Sequence, residues 1–246
     1  MATRFNHEKT YRNRVNKQYQ RIAQIVQATI ARHTTPTGQI DDPIAMMREL
    51  EAYGEKLGPW AETFWGQILN QQHKLLTRDW KASGVRLPAQ TPAVQAAIAQ
   101  AQAEQVHLIK TLPRSAGEKA QEMAEKAALS SGERASTLIA QLQGLEPGYP
   151  EFAARRLART EIAKSQSLLV TAQAKDAGAT HYVWCTVGDE ATRPEHAELN
   201  GKIFRFDDLS DKDGKGCPAP GQIYNCRCYA RPLLPEEVLN AGKDDD

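Results

Sequence analysis

A chain of 246 residues is long enough for one large domain or two modest ones with a substantial hydrophobic core. With 41% apolar and 25% charged residues and a net charge of +1, it has the composition of an ordinary globular protein, and its overall charge does not point to nucleic acid. No apolar run approaches the roughly 20 residues that span a bilayer, and the start MATRFNHEKT lacks the apolar stretch of a signal peptide, so the expected compartment is the cytoplasm, where thiols stay reduced.

Charge is unevenly placed along the chain. Met1 to His33 carries seven Lys/Arg against one acid, whereas Ala179 to Asp246 carries eight basic residues against thirteen acidic ones. Opposite signs at the two ends suit different partners. The first predicted helix, Arg14 to Ala31, sets Val15, Tyr19, Ile22, Ile25, Val26, Ala28 and Ile30 on a broad apolar stripe. Its basic residues and those just before it (Arg4, Lys9, Arg12, Arg14, Lys17 and Arg21) are candidates for contact with DNA phosphates or with an acidic protein surface.

Thr34 to Gly38 breaks that helix, and Asp41-Asp42-Pro43 starts the next, which is expected to reach about Leu57. A third helix follows Pro59, with Trp60, Phe64, Trp65, Ile68, Leu69 and Leu75 as core positions. Pro88 and Pro92 delimit a short linker. Ala93 to Leu145 is rich in strong helix formers and should hold two or three helices, broken near Pro113 to Gly117 and near Ser130 to Gly132. A last long helix runs from Glu151 to about Ala177. Beyond Gly178 the composition turns β-branched, aromatic and Gly/Pro-rich, with strands expected at Thr180–Thr186, Lys202–Phe206 and Tyr224–Ala230. The expected architecture is α+β, a mainly helical N-terminal two-thirds followed by a small loop-rich unit containing β-strands. Its expected divisions are 1–90, 91–178, 179–236 and a disordered acidic tail at 237–246.

The four cysteines, Cys185, Cys217, Cys226 and Cys228, all lie in the last third. On a strand, Cys226 and Cys228 share a face and Arg227 points the other way. With Cys217 and His196 they make a Cys₃His set that tetrahedral zinc accepts, although structural zinc sites usually space their ligand pairs by two to four residues. The alternative is that they are small buried hydrophobes. Cys185 is expected to pack beside Trp184. Asp189, Arg193 and His196 are close enough in sequence to form a polar cluster. As catalysts, His196 would be a general base oriented by Asp189. No nucleophile elbow accompanies them, which favours a role in holding the loop together. A His-Asn-His nuclease built on His196 and Asn200 lacks a second downstream histidine and a Cys-x-x-Cys frame. Arg155 and Arg159 share a helix face, and Glu161 is expected to pair with an arginine between domains.

Taken in order, Arg159-Thr160-Glu161, then Trp184, then Asp189, Arg193, His196, Leu199 and Gly201, then Cys226-Arg227-Cys228 form one pattern. Over roughly His107 to Leu234 it resembles the phage Mu protein F-like family of minor head proteins, the phage head morphogenesis domain. The resemblance implies a minor capsid protein of a tailed bacteriophage, with no catalytic activity. Its implied partners are the portal protein, other capsid proteins and packaged DNA, with no membrane. The implied location is the virion, inside the capsid near the portal, after assembly in the host cytoplasm. The implied work is procapsid assembly and DNA packaging or ejection. The competing class is a zinc-dependent hydrolase or nuclease using His196, Cys226 and Cys228. A nucleic-acid-binding module without a virion role is a third.

Overall fold

The computed structural model describes residues 7–87, 91–144 and 149–235, without the side chains of residues 8–10 and 149–153. Arg4, the Lys9 side chain and the 237–246 tail therefore lie outside the described residues. Among the described residues, six helices and three strands follow in chain order: α1 (Glu8–Arg32), α2 (Pro43–Ala82), α3 (Pro92–Ala128), α4 (Gly132–Leu142), α5 (Tyr149–Asp176), β1 (His181–Cys185), α6 (Pro194–Leu199), β2 (Ile203–Arg205) and β3 (Tyr229–Leu233). The α+β architecture is thus as expected, helices first and a small sheet near the C-terminus. None of the described helices is long and apolar enough to cross a membrane.

Two expected breaks are absent. α2 continues through Pro59 and α3 through Pro113. An interior proline removes one backbone bond and crowds the preceding turn, at about 3 kcal/mol. The buried stripe offsets it. In α2, Met46, Leu50, Gly54, Gly58, Ala61, Trp65 and Ile68 are buried at helical spacing on both sides of Pro59. In α3, Ala101, Gln105, Ile109, Pro113, Gly117 and Ala120 do the same, and the proline itself is buried. Breaking either helix would turn half of a continuous apolar face away from its cover. The break at Ser130 to Gly132 does occur, between α3 and α4. On α1 the stripe is narrower than expected, since Ile25 and Ala28 are exposed.

The chain divides into two compact units. One holds residues 14–65 and 103–156. Here α2 and α3 approach closely: a Cβ on Gly54 would overlap the Lys110 carbonyl oxygen, and one on Gly117 would sit 2.6 Å from Met47 Sδ and 2.7 Å from Leu50 Cδ1. Tyr19 donates to Gln105 at 3.3 Å in the buried interior. Gln27 donates to the carbonyls of Gln141 and Leu142 at 2.8 and 3.1 Å, satisfying acceptors left open at the end of α4.

The other unit holds residues 1–13, 66–102 and 157–246, and it carries the sheet. Ile68, Leu69 and Leu76 in the second half of α2 and Ile162, Leu169 and Val170 in α5 are all buried. Buried polar groups register the two helices: Ser165 donates to Gln72 at 3.2 Å, and the Gln173 amide meets His73 Nδ1 at 2.9 Å and Thr77 at 3.1 Å. The sheet is antiparallel with order β2-β1-β3, and Trp184 of β1 lies opposite Ala230 of β3. Two expectations are corrected here. β3 starts at Tyr229 and not at Tyr224, because residues 223–226 form a turn in which Cys226 N–H donates to the Ile223 carbonyl at 3.1 Å and Asn225 adopts φ 56°. Cys226 and Cys228 therefore precede the strand. Cys185 does not pack beside Trp184; neighbours in a strand point to opposite faces, so Trp184 is buried while Cys185 is half-exposed.

Candidate functional site

The centre of the site is His196. Pro194 occupies the first turn of α6, where its missing N–H costs nothing, and the short helix turns His196 inward. Its residue is 1% exposed, and its ring meets the buried Trp184 indole edge-on at 5.4 Å between centroids. Asp213 Oδ2 lies 3.0 Å from His196 Nε2. On the opposite edge of the ring, Nδ1 lies 3.5 Å from Cys226 Sγ and 3.4 Å from Cys228 Sγ.

A turn-rich loop delivers Asp213. Asp208 accepts the N–H of Ser210 at 3.0 Å. Asp211 accepts those of Asp213, Gly216 and Cys217, at 2.8 to 3.1 Å. Asp213 Oδ1 in turn accepts the N–H of Lys215 at 2.8 Å and of Cys217 at 3.1 Å, leaving Oδ2 for the histidine. Short acidic side chains that bond the backbone two residues on are what hold such a loop. These donors, led by Gly216, pull Asp211 down to about 2, and hydrogen bonds from Ser210 and Lys212 do the same to Asp208. Burial, reinforced by Cys226, pushes the Cys217 thiol up to about 12. Cys226 is lowered by a hydrogen bond from Cys228, which is raised because it keeps the shared proton.

The Arg159-Thr160-Glu161 turn of α5 lies against the cysteine segment. Thr160 Oγ1 accepts the Asn225 N–H at 2.9 Å, and Arg159 donates to Asn225 Oδ1 at 3.2 Å. Gly221, at φ +85°, sits where a Cβ would come within 3.1 Å of the Ala163 carbonyl and 3.3 Å of the Cys228 carbonyl. Glu161 is buried and accepts from Lys164 at 3.2 Å. The Gly201 N–H donates to the Trp184 carbonyl at 2.8 Å, continuing the pairing of β1 beyond its end.

Asp189, Arg193 and His196 do not form one cluster. Asp189 makes a two-pronged ion pair with Arg227, which lowers its pKa. Arg193 donates to the Tyr224 carbonyl at 2.8 Å. The acid that orients His196 is Asp213, which corrects the assignment to Asp189. Both ring nitrogens face buried protein groups, Asp213 on one side and the two cysteine sulfurs on the other. Sequence reasoning missed Asp213 and Asn225. The signal for the first was the Asp-Lys-Asp-Gly spacing of residues 211–214 just before Cys217; Asn225, directly before the cysteine pair, is a residue type that tolerates positive φ.

Of the basic positions on α1, Arg14, Lys17 and Arg21 are exposed and Arg12 is half-buried. The Arg14 guanidinium also lies over the Phe64 ring at 5.3 Å. Spaced three and four apart, Arg14, Lys17 and Arg21 share one helix face.

Residues 119–231, which contain every element of this site, match the family model described as Phage Mu protein F like protein. An uncharacterized protein of Haemophilus influenzae is 32% identical over 130 residues, which cover 52% of this chain and 28% of that protein. The chain thus aligns with less than a third of that relative's length. No solved structure matches significantly.

Proposed function

From the match of residues 119–231 to the model of the Phage Mu protein F-like family, we propose that this protein works in a bacteriophage head as a minor capsid component, docked beside the portal and assisting procapsid assembly and DNA packaging or ejection. Its mechanism is binding. The observation that carries this reading is the family match, which spans the whole unit built from Arg159, Thr160, Trp184, His196 and the cysteine segment. Supporting it, the polar centre of that unit is spent internally: His196 and Asp213 have side chains 2% and 0% exposed, and each meets protein partners. A general base must reach the proton it abstracts, and both nitrogens of this imidazole are engaged by protein partners.

Other capsid proteins are the expected partners. The exposed bases of α1 supply a surface for the phosphates of packaged DNA. Mass spectrometry of purified particles from the source phage or prophage tests the role. The polypeptide should be present at a small fraction of the major capsid protein, and its gene deletion should lower the yield of DNA-filled heads. Its absence from washed, intact particles and procapsids alike would overturn the proposal.

A further inference from the structure

We propose that His196, Cys226, Cys228 and Cys217 constitute a structural zinc site of the Cys₃His type that clamps the end of the sheet module.

Three independent features support it. The first is spacing. Tetrahedral zinc with Zn–S of about 2.3 Å and Zn–N of about 2.0–2.1 Å places its sulfur and nitrogen ligands about 3.5 Å apart. The separations from His196 Nδ1 to Cys226 Sγ and Cys228 Sγ are 3.5 and 3.4 Å. The second is orientation. Asp213, already bonded by two backbone N–H groups, is placed to accept the proton of Nε2, which leaves the lone pair of Nδ1 directed at the two sulfurs. A carboxylate behind the distal nitrogen is the usual support of a metal-bound histidine, fixing its tautomer and raising its basicity. The third is the surrounding shell. All three cysteines and the histidine are buried.

Cys217 is the candidate fourth donor: its sulfur lies within 4.8 Å of ligand atoms of His196 and Asp213, in a group separate from that of His196, Cys226 and Cys228, so a four-ligand set closes only when this sulfur moves towards the other two. In the present arrangement its thiol meets the Ala219 carbonyl at 3.3 Å. Soft thiolates with one imidazole select zinc over magnesium or calcium. The Cys-x-Cys spacing, unfavourable on a regular strand, is accommodated because residues 226–228 lie in irregular backbone between a turn and β3. The site stands on these residues alone and does not depend on the role in the head.

The test uses the full chain, expressed in zinc-supplemented medium and dialysed without chelator. Elemental analysis should give one zinc per chain, and X-ray absorption should show three sulfur and one nitrogen neighbours. Cobalt substitution should give the visible bands of a tetrahedral thiolate complex. Cys226→Ser and Cys228→Ser should each lose the metal, while Cys185→Ser should keep it. Asp213→Asn should bind about 10–100-fold more weakly. A folded wild-type protein without metal overturns the site, since the same distances then belong to thiol–imidazole hydrogen bonds. So does recovery of a Cys226–Cys228 disulfide from native protein. Cobalt spectroscopy of the wild-type chain keeps the test valid should a variant fail to fold. An unchanged sulfur count in Cys217→Ser would overturn the four-ligand set.

Discussion

The hydroxyl oxygen of Thr160 accepts the backbone N–H of Asn225 at 2.9 Å, joining α5 to the cysteine segment across 65 residues of chain. Asn225 adopts φ 56°, so this N–H lies in a turn and has no strand partner. Thr160 is 2% exposed, and without its hydroxyl the half-buried Asn225 donor would lose this acceptor. Thr160→Val keeps the shape and removes the acceptor. It should cost about 1–3 kcal/mol, read as a Tm drop of several degrees in thermal unfolding. Thr160→Ser should recover most of the loss. Equal stability of Thr160→Val and wild type would show that the contact does not hold the two elements together.

Close approach of α2 and α3 gives a paired test. Gly54 has the Lys110 carbonyl against it, whereas a Cβ on Gly58 would meet only the Lys110 side chain, at 3.5 Å. Gly54→Ala should therefore destabilise by about 1–3 kcal/mol, through overpacking against rigid backbone. Gly58→Ala should be neutral or stabilise by about 0.5–1 kcal/mol, as alanine favours the helix. Denaturant titration of both variants checks the contrast, and similar midpoints would refute it.

Acid should loosen the 207–217 loop first. Asp208 is held at about 2 by hydrogen bonds from Ser210 and Lys212, against about 3.9 for an unfolded aspartate. Because its folded pKa is the lower one, its contribution is fully present above about pH 4 and fades as pH falls towards about 2. Asp208→Asn should thus lower Tm at neutral pH, with the gap to wild type closing across that window. A gap that stays constant down to pH 2 would assign the effect elsewhere.

The exposed face of Arg14, Lys17 and Arg21 predicts salt-sensitive DNA binding. Each phosphate contact removed should reduce the slope of log affinity against log salt by roughly 0.9. Replacing the three residues with glutamine should flatten the slope accordingly without changing the fold. A wild-type chain that shows no retardation of duplex DNA at low salt would reassign this face to an acidic protein partner.

Local chemistry was enough for much of this protein. Apolar residues at helical spacing marked α1, Ser130 to Gly132 marked the end of α3, and β-branched and aromatic residues marked β1. Each of these signals acts within a few residues, where side-chain period and turn chemistry dominate. The ordered pattern from Arg159 to Cys228 also pointed to the family whose model residues 119–231 match. Tertiary packing decided the rest. Pro59 and Pro113 stay inside helices because burying an unbroken stripe outweighs one lost backbone bond. Asp213, and not the nearer Asp189, orients His196 because loop turns bring it there while Arg227 takes Asp189. Nothing in residue spacing alone specifies which of several acids meets one buried imidazole. That choice belongs to the folded chain, where burial penalises every charge left without a partner.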